Sequence, residues 1–172
     1  IILIGAGGHA RSITESVLSN GFSIKYYVDN NKSGQNLFGY PVKKNLLIDR
    51  DKKVNILIAI GNNYKREKIY KSITNKYKNL IFPNIVDSSI KISKFSKIGK
   101  GNMIMVNSFI GANTRIGDFC LINNNASIDH DCKIKRFSSL APSVVIGGNV
   151  DIGLRVEIGI GTIIKNNIKI KN

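Results

Sequence analysis

An α/β unit followed by a parallel β-solenoid is the fold that this sequence predicts, and three observations carry it. From Val86 to Ile170 every sixth residue is aliphatic, fifteen times in succession. Four places after these residues the chain usually carries a small or β-branched side chain, as at Ser108, Thr114, Cys120, Ala126 and Val150. Before Pro83 the period is absent, and apolar runs alternate with helical patterns around the glycine-rich string Gly5-Ala6-Gly7-Gly8.

A period of six suits neither an α-helix nor a simple alternating strand. It suits one short flat strand per unit, with three units closing a triangular coil and successive coils stacked about 4.8 Å apart through strand hydrogen bonds. The recurring aliphatic residue points inward, and burying each contributes roughly 1.5 to 3 kcal/mol. No insertion breaks the register. The division expected from this pattern is a first domain over residues 1–82 and a solenoid over 83–172. The chain begins without Met and stops in mid-repeat, so further sequence at one or both ends is expected, a truncated solenoid end in particular.

In chain order, Ile1 to Ile4 reads as a buried strand, and Ile13, Val17 and Leu18 mark the helix after the glycines. Strand, glycine turn and helix start together make a phosphate-binding geometry, because glycines let backbone amides approach an anion at the positive helix end. A second strand, Ile24 to Val28, ends at Asp29-Asn30, where a ribose-binding carboxylate would sit. The third, Val54 to Ile60, ends at Gly61-Asn62-Asn63, and a helix from Tyr64 to Tyr77 and a short strand at Leu80 to Phe82 follow. This is a single βαβαβ unit. About eighty residues hold one mononucleotide half and not the two that a dinucleotide fold requires.

The charge is +15, with Lys dispersed along the chain. No nucleic-acid motif accompanies it, so RNA or DNA binding is not expected; a positive surface also suits polyanionic small molecules, and the abundant Asn reads as genome composition. Cys120 and Cys132 occupy the small inward position and read as core hydrophobes. With no disulfide framework, signal peptide or long apolar span, the expected compartment is the cytoplasm.

The repeat contains one histidine, in Ile128-Asp129-His130-Asp131-Cys132. Carboxylates on both sides can orient an imidazole and favour its protonated form, which suits a general base near neutral pH. Eighteen residues make one coil, so Gly148 stacks on His130 and leaves room beside the ring.

These residues together resemble the bacterial sugar acetyltransferases that join a small Rossmann-like domain to a left-handed β-helix of hexapeptide repeats, the sialic acid O-acetyltransferase and UDP-4-amino-sugar N-acetyltransferase group. The resemblance rests on Gly5 to His9, Asp29, Ile58-Ala59-Ile60-Gly61-Asn62-Asn63 and Ile128 to Cys132, in that order and spacing. It implies acetyl transfer from acetyl-CoA to an amine or hydroxyl of a sugar, often nucleotide-linked, in surface glycan biosynthesis. His130 would be the general base and Asp131 the acid that raises its basicity, where the family commonly has Glu. Ser139, Gly148 and Ile160 match acetyl-CoA positions, some members having His at the place of Ser139. Gly7, Gly8, His9, Asp29, Asn30 and Gly61 match sugar-nucleotide positions, although His9 could instead cap the first helix. The resemblance further implies a homotrimer with sites between subunits and no metal.

Alternatives differ in class. A carbonic anhydrase on this solenoid needs several histidines for zinc. A structural solenoid needs outward Thr columns and no glycine-rich unit. A non-catalytic nucleotide-sugar sensor would dispense with His130, and an acyltransferase could use another acyl donor. The sequence does not separate N- from O-acetylation.

Overall fold

The computed structural model describes residues 1–49 and 52–171. They form two compact units, Ile1–Pro83 and Asn84–Asn172. In the first, β1 (Ile2–Ile4), α1 (Gly8–Ser19), β2 (Tyr26–Val28), β3 (Asn36–Leu37), β4 (Tyr40–Lys43), β5 (Val54–Ile58), α2 (Asn63–Lys76) and β6 (Leu80–Ile81) follow in order. The sheet order is β3-β4-β2-β1-β5-β6. The central strand β1 is parallel to both β2 and β5, with Leu3 between Tyr27 and Leu57. Every residue of β1 is buried, which is why it reads as an unbroken apolar run. Ala10, Ile13 and Val17, spaced three and four apart, bury one face of α1 completely.

The hairpin β3–β4 is an addition to the expected βαβαβ unit. Its two-residue turn, Phe38 (φ 51°) and Gly39 (φ 82°), has positive φ at both places, a geometry usually announced by Asn-Gly and here carried by Phe-Gly. The hairpin joins the sheet because β4 runs parallel to β2, and Val42 is buried there beside Tyr27. At the other side, α2 is capped by Asn62, whose side chain accepts from the Lys65 amide.

The second unit has fifteen two-residue strands, from β7 (Ile85–Val86) to β21 (Lys169–Ile170), one every six residues. They make three parallel sheets of five strands, and each strand pairs with the one eighteen residues on, as in Ile104 with Ile122 and Ile122 with Leu140. The expected inward ladder is the core: Ile104, Ile110, Ile122, Ile128, Leu140 and Ile152 are fully buried. Cys120 and Cys132 are buried free thiols among them.

Five of the asparagines have a structural reason that composition hid. Three places after the inward residue, the turns from Gly101 to Asn167 hold a left-handed backbone, with φ between 56° and 62° at every non-glycine. Such a conformation costs an ordinary residue roughly 1–2 kcal/mol, and Asn tolerates it better. Asn107, Asn113, Asn125, Asn149 and Asn167 fill it here. Where it holds Phe119 and Phe137, the rings are buried and stack with centroids 5.2 Å apart, a contact that offsets the strain.

Truncating the ladder tests its weight. Ile122→Ala removes fully buried methyl groups between two coils and should lower stability by about 2–5 kcal/mol, read as an earlier midpoint in urea unfolding with secondary structure retained in water.

Candidate functional site

Two regions carry the candidate residues, one in each unit. In the first, the chain leaves β1 through Gly5, whose φ is +110° and where an added Cβ would lie 2.7 Å from the carbonyl oxygen of Ala59. Only glycine fits. Gly7 is the N-cap of α1 and has no side chain to cap it, and His9 lies within the first turn of the helix. A Cβ at Gly7 would meet nothing, and one at Gly8 only the tip of Arg11, which leaves the start of α1 open to a ligand.

Asp29 holds this loop closed. Its Oδ2 accepts from the Ala6 amide at 3.0 Å and its Oδ1 from the Asn31 amide at 3.0 Å, while Lys32 donates to the Ala6 carbonyl at 2.9 Å. Each carboxylate oxygen keeps a further lone pair for a ligand hydroxyl. A cleft of about 600 Å³ opens beside it, lined by Asp29, Asn30, Lys44, Leu46, Lys65 and Ile69 among others. Asp29 and Asn30 therefore face the cleft, whereas Gly7, Gly8, His9 and Gly61 are not part of its lining. Lys44 and Lys65 were missed in the sequence. Lys44 follows β4, the strand that had no pattern of its own, and Lys65 looked like one more dispersed lysine.

Beneath the loop after β5, Arg66 is completely buried and donates to the carbonyls of Ile60 and Gly61 and to Asn63 Oδ1, at 2.8, 2.7 and 2.6 Å. Gly61 also abuts His9, whose Cβ is 3.9 Å from where a Gly61 side chain would begin. Burial, and after it the Arg66 charge, push the His9 imidazole down to about 4. At neutral pH His9 is an uncharged ring beside a phosphate-ready helix start.

In the solenoid, His130 lies on the turn between β14 (Ser127–Ile128) and β15 (Lys133–Ile134). Its side chain is 58% exposed, and Nδ1 lies 2.7 Å from Asp131 Oδ2. An ionised carboxylate can only accept, so Nδ1 carries the proton and the lone pair of the neutral ring is at Nε2, facing outward chemistry. The shorter Asp thus reaches the ring. The Asp131 hydrogen bond, and then the charge of Asp129, hold the imidazole above its ordinary 6.5. Asn113 Nδ2 bonds the other oxygen of Asp131 at 2.5 Å. Bonds from Asn113 first and His130 second keep Asp131 below the usual carboxylate range.

Glycines frame this turn. A Cβ at Gly148, one coil above, would fall 2.6 Å from His130 Cε1 and 2.7 Å from Nε2. A cleft of about 390 Å³ lies here, lined by Asp129, His130, Gly147, Gly148, Asn149 and neighbouring asparagines. Gly148 is therefore brought to His130, and the other two acetyl-CoA positions are not. Ser139 is buried on β16 (Ser139–Leu140), in a different sheet from β14 and β15, and Ile160 stands 78% exposed after β19 (Glu157–Ile158). Cys132 takes no part: burial raises its thiol, and Sγ donates to the Gly147 carbonyl.

Comparison with known proteins bears on this pair of regions. Residues 1–73 match the PglD N-terminal domain family. The solved structure of a histidine-to-alanine mutant of GDP-perosamine N-acetyl transferase from Caulobacter crescentus, with CoA and GDP-perosamine, superposes with a TM-score of 0.88 at 25% identity. The match covers 99% of this chain and 81% of that one. Over nearly its whole length the chain is similar to this sugar acetyltransferase. A second similar structure, the acetyltransferase domain of PglB from Neisseria gonorrhoeae FA1090 with acetyl coenzyme A, gives a TM-score of 0.83 at 25% identity, over 99% of this chain and 86% of that one. The uncharacterized protein L142 of Acanthamoeba polyphaga mimivirus is 34% identical over 123 residues, 71% of this chain. The chain spans only 24% of that relative's length. Like the expectation for the family, the architecture is a small α/β unit followed by a parallel solenoid. Among the described residues no cluster of three metal-ligating side chains occurs, and no helix is long and apolar enough to cross a membrane.

The chain has two histidines, and they should titrate far apart. In a carbon-detected NMR titration one imidazole is expected to have its midpoint above 6.5 and to lose its signal shift in a His130→Ala variant, while the other stays neutral down to about 4.

Proposed function

We propose that the protein transfers an acetyl group from acetyl-CoA to the amine of a nucleotide-linked sugar, with His130 as general base. The observation that carries this reading is the Asp131–His130 pair, with Nδ1 tied to the carboxylate at 2.7 Å and Nε2 left for the acceptor under a glycine that a side chain would obstruct. Acetyl-CoA supplies an activated acyl carbon and a thiolate leaving group. Nε2 takes the proton as the acceptor nitrogen attacks the thioester carbonyl, Asp131 stabilises the imidazolium that results, and the same proton can then pass to the departing sulfur. Backbone amides at the glycine-framed turn are suited to the oxygen on which charge develops.

The first unit supplies the acceptor side of the reading. Its cleft joins Asp29 and Asn30 to Lys44 and Lys65, a mix of hydroxyl acceptors and cations that suits a sugar nucleotide's ribose and phosphates. The Caulobacter relative, crystallised with GDP-perosamine, supports an amino sugar as acceptor over a free sialic acid. Two further expectations belong to the same proposal. Ser139 and Ile160 lie away from His130 within one chain, and Val106, Phe109, Val145, Ile160 and Ile163 leave large apolar side chains exposed. A homotrimer in which neighbouring copies complete each acetyl-CoA site accounts for both, and its buried thiols suit the reducing cytoplasm.

The test is thiol release from acetyl-CoA against UDP- and GDP-linked 4-amino sugars and free sialic acids. Release with an amino-sugar nucleotide should fall by about a hundredfold or more in His130→Ala, the scale of general-base loss; release that persists in the variant removes His130 from the chemistry. A base works only when deprotonated, and His130 is raised above 6.5, so kcat/KM should climb with pH along a limb centred above 6.5. Asp131→Asn should move that limb to lower pH and lower its plateau.

A further inference from the structure

Asp131 is one member of a vertical column of left-handed turn residues, Asn113, Asp131, Asn149 and Asn167, spaced by one coil of eighteen. Higher in the column Asn149 Nδ2 donates to Asn167 Oδ1 at 2.8 Å, an amide ladder with no acid in it. Lower down the same kind of bond runs from Asn113 to Asp131. The column has therefore exchanged one asparagine for an aspartate at the one level where a histidine precedes it.

We propose that Asn113 is a positioning residue for His130, its side-chain amide clamping Asp131 Oδ1 so that Oδ2 is fixed against the imidazole Nδ1. The inference rests on the acetyltransferase reading only for its consequence on turnover. The geometry stands apart from it. Asp131 and His130 are both exposed, with side chains 47% and 58% accessible, and an exposed ion pair with two mobile partners contributes little because water competes for each. Here the backbone of Asp131 is pinned by its own amide donating to the Ala112 carbonyl at 2.9 Å, and the His130 carbonyl accepts from the Asn149 amide at 2.9 Å. What remains free is rotation of the carboxylate about its last bond. A donor on Oδ1 from the coil below fixes the plane of the carboxylate, so that the other oxygen stays aimed at Nδ1.

The charged surroundings are few. Asp129 and Asp131 flank the ring on its own turn, and the lining above it is glycine and asparagine. Arg115 and Lys133 line a separate depression with Asn113, Asp131 and Asn149. They stand on the Asp131 side of the turn.

Glycine is the substitution to use at position 113, because φ is 58° there and glycine adopts that conformation without strain. Asn125→Gly is the comparison: an exposed left-handed position of the same solenoid, outside this column. In the full-length protein, the His130 midpoint followed by NMR should drop by about half a pH unit in Asn113→Gly and stay in place in Asn125→Gly. Thiol release should lose roughly 3- to 10-fold in kcat with KM for acetyl-CoA held within about twofold, the signature of a base set less well and a donor bound as before. If the His130 midpoint in Asn113→Gly matches that in Asn125→Gly or rises, Asn113 serves the turn alone and the inference is overturned. A wild-type protein that releases no thiol with any acceptor sinks the proposed function instead, and the difference in midpoints still decides the role of Asn113.

Discussion

The constraint on which the solenoid depends is vertical register. Each two-residue strand bonds to its neighbours one coil away, so residue n always lies over residue n − 18, and one inserted residue would rotate every later side chain out of its column. Register makes the inward aliphatic ladder continuous. It also makes the turns equivalent, so that the same left-handed backbone recurs every six residues and the same few residue types are drawn to it.

The candidate base is a product of that stacking. His130 gains its partners from three levels of the coil: Asn113 below holds the carboxylate, Asp131 beside it holds the ring, and Gly148 above, lacking a Cβ, lets the ring lie against its backbone. None of the three is near another in a way that chain proximity alone would produce, apart from Asp131. An imidazole on a mobile loop would have to be ordered on binding, whereas here the coil holds the geometry in advance.

The α/β unit solves a different problem. Its glycine-rich turn must keep backbone amides open toward a ligand, and an open turn is a floppy one. Asp29 and Lys32 fasten Ala6 from both its amide and its carbonyl, and Arg66, fully buried, fastens the turn after β5. Burial of that guanidinium costs little only because three acceptors meet it. Burial of the His9 ring first, and the Arg66 charge second, keep the neighbouring His9 uncharged at neutral pH.

The sequence by itself determined whatever depends on periodicity. Fifteen aliphatic residues at intervals of six define the strands, the inward face and the stacking of Gly148 on His130, because a solenoid turns sequence distance into spatial distance by a fixed rule. In the first unit β1, α1, β5 and α2 were legible from local pattern: an unbroken apolar run, a helical stripe, a Gly61-Asn62-Asn63 break between strand and helix. The hairpin β3–β4 was not, since one strand of two residues and one of four do not repeat and Phe38-Gly39 is an uncommon spelling of its turn. Tertiary structure alone decided what side-chain direction decides. Asp29 proved to be a staple of the loop as well as a cleft residue, Lys44 and Lys65 joined it from segments with no motif, and Ser139 and Ile160 fell on other faces than His130. Asn113 looked like one more polar residue among many. Its meaning came from the left-handed turn beneath Asp131, a conformation that recurs through the whole repeat and that composition could not announce.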